Sequence, residues 1–293
     1  MSKNKTVVVG MSGGVDSSVA ALLLKQQGFN VIGVHMNHLE GVDNTTDVSS
    51  VCKVLGIPFH VVDYRNEFEK LVIARTRESF AKGLTPNPCC FCNRDVKFKL
   101  LVDMADKLGA DFVATGHYRE QFYFLCALAK NQFSRALFPL RDLTKKAVRE
   151  IAKSNGLVTH DKPASTDICF EMPKPPLTIG QRAGLGGQSQ RMYVIGKGPD
   201  GKAIVGLDSS PELYTKVLTA KGFNWLVPST SDKFECLAKV RYRQPDQQCI
   251  VEVRDGVVSV TFKKPQRAVT PGQWVVLYNG DVCLGGGEIC ETK

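Results

Sequence analysis

Three stretches of this chain hold residue types at spacings that can do chemistry. The first is Gly10-Met11-Ser12-Gly13-Gly14-Val15-Asp16-Ser17-Ser18, which follows the apolar β-branched run Thr6 to Val9 and opens into helical text from Ser17 to Gln27. Paired glycines let a backbone turn tightly and come close to an anion. The helix behind them presents unpaired N–H groups and its positive dipole end to the same point. A nucleotide phosphate is the guest this pattern predicts. A Walker loop would need a Lys after its second glycine, and a dinucleotide fingerprint would need G-x-G-x-x-G; neither stands here. The second stretch is Cys89-Cys90-Phe91-Cys92-Asn93, which contains C-x-x-C and runs into a basic helical segment, Arg94 to Lys99. The third, far downstream, is Ile168-Cys169-Phe170. Thiolate is the reactive form of cysteine, and Arg94 and Lys97 at a helix start are placed to lower the pKa of Cys92.

Such residues need a scaffold. From Thr6 to about Leu157 short apolar runs (Val7 to Val9, Val31 to Val34, Phe59 to Val62, Phe112 to Ala114) alternate with longer stretches of helical period. That alternation predicts βαβ units and a parallel sheet whose ligand loops lie beyond the carboxyl ends of the strands. The phosphate loop, Met36 and Thr115-Gly116-His117 should then share one rim. Between Lys162 and Gly201 the text turns Pro- and Gly-rich, with Met172-Pro173-Lys174-Pro175-Pro176 and Gly184-Leu185-Gly186-Gly187, and reads as linker. From about Lys202 short alternating runs (Ala238 to Tyr242, Cys249 to Val253, Val257 to Phe262, Trp274 to Leu277), separated by Asp-Gly, Pro-Gly and Asn-Gly turns, predict a small antiparallel barrel.

Composition narrows the function classes. The 293 residues are 43% hydrophobic, enough for at least one full core, and length favours two domains. The net charge of +9, from 38 basic and 29 acidic residues, favours a polyanionic partner such as nucleic acid. No run reaches the ~18 apolar residues of a membrane span, and no secretion signal opens the chain, so the expected location is the cytoplasm. Ten cysteines in that setting read as reduced thiols, metal or cluster ligands, or redox catalysts sooner than as a disulfide framework.

The Ser-Gly-Gly-x-Asp-Ser form of the first loop resembles the PP-loop of the ATP pyrophosphatases. Thr85-Pro86-Asn87-Pro88, Cys92-Asn93, Lys97-Phe98-Lys99, Ala114 to Tyr118, Ser165 to Phe170, Ile179 to Gly186, Arg241 to Gln244, Thr270 to Gln273 and Tyr278 to Gly287 extend that likeness. In this order they resemble the tRNA-specific 2-thiouridylases, the MnmA family, from Val7 to Ile289. The resemblance implies an α/β fold: a PP-loop ATP pyrophosphatase (adenine nucleotide alpha hydrolase-like) parallel sheet with helices on both faces, then a small C-terminal antiparallel β-barrel. It implies a catalytic domain over 1–170, a reduced central domain or linker over 171–206 and a tRNA-contacting barrel over 207–293. The implied activity is ATP-dependent formation of 2-thiouridine at the tRNA wobble position, by adenylation of uracil O2 and sulfur attack. Its rivals are another PP-loop modification of tRNA and a silent tRNA-binding module. Gly10, Met11, Ser12, Gly13, Gly14, Val15, Asp16 and Ser17 would hold ATP phosphates, with Asp16 or a neighbour on Mg2+, and Met36 and Gly116 would line adenine and ribose. Cys92 matches the nucleophile and Cys169 the carrier of persulfide sulfur. Asn87, Pro88, Cys89, His117, Arg241, Tyr242 and Gln273 match positions beside the target base or against tRNA. The sulfur donor would be a cysteine desulfurase, a sulfur-relay protein or free sulfide.

Two departures matter. Cys89 stands where most relatives carry Asp, so Cys89, Cys92 and Cys169 make three thiols, as in the tRNA thiolases that bind a [4Fe-4S] cluster with one open iron. Cluster and persulfide relay both stay open, with His117 as the one candidate fourth ligand for a zinc ion. Glu120 also runs directly into Gln121-Phe122-Tyr123-Phe124, and only eight residues separate Phe170 from Ile179, so segments of the family's central domain are missing. Basic loops at 239–243 and 263–267 would then carry more of the tRNA contact. Other features read as structural: Lys145 to Lys153 as a solvated helix capped by Thr144 and stopped by Gly156, Cys90 and the six remaining cysteines as core thiols, and His35, His38, His60 and His160 as residues with no partner visible in sequence.

Overall fold

A computed structural model describes residues 5–41, 43–163, 168–172, 177–184, 190–198, 202–228 and 231–293. The chain divides into two compact units, Met1–Ala74 with Cys89–Glu171, and Arg75–Pro88 with Met172–Lys293. The expected Ser165-Thr166 motif, the Pro-rich run after Met172 and the Leu185-Gly186-Gly187 run lie wholly or partly outside the described residues.

The first unit is built on β1 (Thr6–Gly10), α1 (Val15–Gln26), β2 (Asn30–Asn37), α2 (Thr45–Leu55) and β3 (Phe59–Asp63). Short helix α3 (Arg65–Phe68) leads into a π-helical turn, Glu69–Ile73, and then α4 (Ala74–Ala81), nearly all of which belongs to the second unit. A second composite helix joins α5 (Pro88–Cys92) to α6 (Phe98–Leu108) through a π-helical turn, Asn93–Lys97. Then come β4 (Phe112–Ala114), a 3-10 helix (Arg119–Leu125), α7 (Lys130–Ser134), β5 (Ala136–Leu137) and α8 (Lys145–Ser154). The five strands pair in parallel in the order β3-β2-β1-β4-β5. Side chains alternate across a sheet, and β1 shows where the helices go. Val7 and Val9 join a buried cluster with Val19, Val48 and Val148 from α1, α2 and α8. Val8 points to the opposite face, where α6 lies against β1 and β4. Both faces are therefore covered, and loops at the carboxyl ends of β1, β2 and β4 stand on one rim.

Helix α1 starts at Val15, two residues before the run predicted from periodicity, because Gly14 is its cap. Strand β2 runs through Met36 to Asn37, so Met36 lies inside the strand end and not beyond it. Helix α8 has the expected cap, with Thr144 Oγ1 accepting from the Ala147 N–H at 3.2 Å, and Gly156 follows at φ 67°.

The second unit holds β6 (Met192–Lys197) paired with β7 (Ala203–Leu207), and a closed barrel of β8 (Tyr214–Trp225), β9 (Lys233–Lys239), β10 (Gln247–Arg254), β11 (Val257–Arg267), β12 (Trp274–Asn279) and β13 (Val282–Thr292). The stretch read as linker thus contains a hairpin, in which Val194 is fully buried. The barrel opens at Tyr214, later than expected, and the run Ala238 to Tyr242 leaves its strand after Lys239 to enter a turn. The Asp255-Gly256 turn has both residues at positive φ, as a two-residue hairpin connection demands. Leu218, Val251, Val260, Phe262 and Leu277 fill the interior. Among the described residues no helix is long and apolar enough to cross a membrane.

Candidate active site

The glycine turn is held from behind. His35, 5% exposed on β2, donates from Nδ1 to the Met11 carbonyl at 2.8 Å, and the Met11 N–H donates to the Val34 carbonyl. His35 therefore has the partner its sequence did not reveal. Ser17 Oγ accepts from the Ser12 N–H at 3.1 Å and donates to the Gly14 carbonyl, while Ser18 Oγ donates to the same carbonyl. Gly14 brings no side-chain acceptor to the first turn of α1, so that turn keeps amides for an anion. Gly13 turns at φ 77°, and a Cβ there would meet Asn44 Cβ at 2.8 Å. Gly116, from the loop after β4, lies so near the turn that a Cβ would stand 2.8 Å from the Asp16 carbonyl carbon and 2.9 Å from Ser17 N. Glycine is required at 116 by close approach, and the same fit brings the β1 and β4 loops together, while Met36 at the end of β2 is half-buried.

Asp16 is the acid of this turn. Both its oxygens accept from Lys145 Nζ, at 2.6 and 2.7 Å, and Oδ1 also accepts from Tyr118 Oη at 2.6 Å. Lys162 Nζ donates to the Gly13 carbonyl at 3.2 Å and pairs with Asp47. Lys145 is thus bound to the phosphate turn and is not the solvated surface residue that its helix predicts. Neither lysine lies in the loop they serve. One signal for Lys145 was present in the sequence, since a cation in the first turn of a helix opposes the dipole and needs another reason to be there.

The thiols form a second group in the same unit. Cys92 is 5% exposed at the end of α5, Cys89 is half-buried and Cys169 is exposed. Phe170 places the Cys169 segment, its ring set edge-on to Phe68 at 5.8 Å, and Phe68 in turn meets His38 at 4.9 Å. Cys92, Cys89 and Cys169 all act on one ammonium, Lys97: burial works to discharge it, but the three sulfurs outweigh that and raise its pKa. Lys97 also bears on His117 and His38. Burial pushes the Cys92 thiol up to about 12, with Lys97 pulling against it, so the expected low pKa is not found in this state. The reason is desolvation, which outweighs one nearby cation. Arg94 does not serve Cys92, because its guanidinium is paired with Asp95 at 2.6 and 2.8 Å. His117 is held down to about 3, first by burial and then by Lys97, so it is a neutral imidazole, with Nδ1 2.8 Å from Thr115 Oγ1. Cys90 is fully buried and points to the Tyr123 carbonyl, as expected of a core thiol. Among the described residues no three His, Cys, Asp or Glu side chains are arranged to hold a metal ion.

The expected tRNA-facing residues divide. Asn87 is half-buried and Pro88, buried, starts α5. In the second unit Gln273 is 9% exposed and donates to the Thr85 carbonyl at 2.9 Å, tying down the segment that leads to Asn87. Arg241 turns its guanidinium onto the Ala268 carbonyl and Thr270 Oγ1, and half-buried Tyr242 follows it in the turn after β9.

The comparisons agree with this anatomy. The family model described as tRNA methyl transferase HUP domain matches residues 5–122 and 119–173, and that described as aminomethyltransferase beta-barrel domain matches 215–289. The tRNA-specific 2-thiouridylase MnmA of Halalkalibacterium halodurans is 42% identical over 97% of this chain and 94% of its own length, and that of Protochlamydia amoebophila is 39% identical over 99% and 94%. The first alignment runs to 349 positions against 293 residues here, so the relative carries segments this chain lacks. A solved NMN synthetase from Francisella tularensis is 20% identical with a TM-score of 0.43, over 55% of this chain and 66% of that one. With two such relatives 42% and 39% identical along nearly the whole chain, and family models matched over both the sheet unit and the barrel, this protein belongs to the family of the tRNA-specific 2-thiouridylase MnmA.

Proposed function

We propose that this chain is an ATP-dependent tRNA sulfurtransferase that forms 2-thiouridine at the wobble position. The observation that carries the reading is that the glycine turn, with Gly116 packed against it, and the thiols Cys92, Cys89 and Cys169, which share the electrostatic influence of Lys97, lie in one unit. Uracil O2 is a poor leaving group. It must attack the α-phosphorus of ATP, releasing pyrophosphate, before sulfur can attack C2 and AMP can depart with the oxygen. Residues Gly10 to Ser17 would hold the phosphates with their amides, while Met36 and Gly116 flank the nucleoside. Asp16 fits Mg2+, since its carboxylate is one-third exposed and already receives a cation. When bound, the metal would neutralise charge on the phosphoryl oxygens.

The sulfur side follows from exposure. Exposed Cys169 is open to a desulfurase or a relay protein, whose own persulfide would pass its outer sulfur to the Cys169 thiolate and leave the donor cysteine as a thiol, whereas free sulfide would attack the adenylate directly. Cys92, buried and protonated at rest, would attack as the thiolate, its proton passing to solvent and its negative charge balanced by the Lys97 ammonium. Attack by Cys92 on the Cys169 persulfide frees sulfide for the adenylate and leaves a disulfide for a reductant to reopen. Cys89 is the observation behind the cluster alternative, yet the three thiols do not converge as a ligand set among the described residues, and no step is assigned to a cluster. The division of labour we infer is catalysis by residues 1–170 and tRNA contact by 207–293, with 171–206 between them.

A tRNA transcript assay tests the assignment. Cys92→Ala and Cys169→Ala should each abolish 2-thiouridine while ATP still binds, and residual thiolation in either variant would remove that cysteine from the scheme. Iron and sulfide analysis after anaerobic purification separates the two sulfur routes: about four irons per chain would favour the cluster.

A further inference from the structure

The phosphate turn has no lysine of its own, yet two ammonium groups reach it from the chain beyond β5. Lys162 is committed to the Gly13 carbonyl and Asp47. Lys145 is placed differently. Its ammonium sits on both oxygens of Asp16, above the Tyr118 ring at 5.9 Å, and the side chains of Lys145 and Asp16 remain 35% and 33% exposed. Lys145 is the first residue of α8, where the helix dipole disfavours a cation, so local stability does not account for it. Asp16, in the first turn of α1, sits well for its own helix and is also fixed by Tyr118 Oη, so it does not need Lys145 to stay in place. The pair is an ion pair at the mouth of an anion site, and a partly exposed pair of this kind adds little to stability and opens easily.

We propose that Lys145 is the pyrophosphate-contacting cation of this site, stored on Asp16 at rest and exchanged onto the β- and γ-phosphates when Mg2+ takes its place on the carboxylate. The inference rests on the ATP-dependent reading above. The exchange conserves charge: the carboxylate trades an ammonium for a divalent ion, and the ammonium trades a carboxylate for phosphate oxygens. Departing pyrophosphate carries more negative charge than bound ATP places on the bridging oxygen, so a cation held there favours adenylation as well as binding.

Calorimetric titration of the full chain with ATP, AMP and sodium pyrophosphate, each with and without Mg2+, tests it. Lys145→Met should weaken ATP and pyrophosphate about 10- to 100-fold and leave AMP unchanged, and Lys145→Arg should restore most of the loss. Asp16→Asn should strengthen metal-free pyrophosphate binding several-fold, because Lys145 is released from its storage partner, while the Mg2+-dependent gain disappears. A purely structural lysine gives another pattern, with ATP and AMP weakened alike in Lys145→Met and metal-free pyrophosphate unchanged or weaker in Asp16→Asn. Either result overturns the inference, as does ATP binding by Lys145→Met at the unsubstituted protein's affinity. Absence of ATP binding in the unsubstituted protein would instead overturn the functional reading on which it stands.

Discussion

In the sheet unit the motif side chains act on one another through charge: Asp16 with Lys145 and Tyr118 at an open turn, and the three thiols with Lys97, itself desolvated by burial. In the barrel unit the motif side chains turn onto backbone carbonyls instead. Arg241 bonds to the carbonyls of Ala268 and Ile179, and Gln273 to those of Thr85 and Pro86. A polar side chain satisfied by a buried carbonyl fixes a turn and has little left for a ligand, whereas ions paired at an open turn can change partners. Family motifs of the two units thus answer to different physics, reactivity in one and loop geometry in the other.

The sharpest way to break that contrast is Lys97→Met. Lys97 is a cation that Cys92, Cys89 and Cys169 share, and it opposes the burial that holds Cys92 near 12. Its loss should drive the Cys92 pKa further up and slow sulfur transfer about 10- to 100-fold while ATP affinity stays the same. Alkylation of Cys92 by iodoacetamide at mildly alkaline pH should slow in parallel. Unchanged alkylation and unchanged thiolation would show that the ammonium does not serve the thiols.

On the barrel side the corresponding variant is Arg241→Met. It strands the acceptors on Ala268, Ile179 and Thr270, which predicts a loss of about 1–3 kcal/mol in stability by denaturant titration. The slope of tRNA affinity against salt should not move, because the guanidinium is not available to phosphate. Lys263→Ala with Lys264→Ala should do the reverse, with stability within about 0.5 kcal/mol and a salt slope shallower by roughly one to two. A shallower slope in Arg241→Met would return that residue to the RNA contact the family resemblance implied.

The same contrast explains what the sequence disclosed. Strands β1 to β4 were legible because β-branched runs bounded by helical text leave few alternatives, and the phosphate turn was legible because Ser-Gly-Gly-x-Asp-Ser follows a strand and opens a helix. The hairpin of β6 and β7 was hidden by the Pro- and Gly-rich text around it, and β8 and β13 by the mixed polarity of long strands whose alternation is interrupted by register shifts. Within the site, Lys145 and Tyr118 were missed because their partner lies more than a hundred positions away, and no local pattern encodes that distance. Arg94 was misread for the opposite reason. It is near Cys92 in sequence, but Asp95 is nearer and carries a full charge.

The smallest expected effect is the most specific to the sheet unit. All five histidines fall between residues 35 and 160, so the barrel strands contribute no imidazole titration. His117 is kept neutral by burial and by Lys97, with a folded pKa near 3 against an ordinary value of 6.5, and His38 is shifted in the same direction. Between those two values the unfolded chain binds a proton that the folded chain refuses. Stability is therefore complete above pH 6.5 and declines as pH falls toward 3. Replacing His117 by Asn removes one proton acceptor from the unfolded state. The pH dependence of urea unfolding between 6.5 and 5 should flatten by about 1–2 kcal/mol, with no difference in slope above pH 7. A slope identical to that of the unsubstituted protein would mean that His117 is protonated in the folded state, and a charged imidazole beside Lys97 would then have to be reconciled with the thiols that surround it.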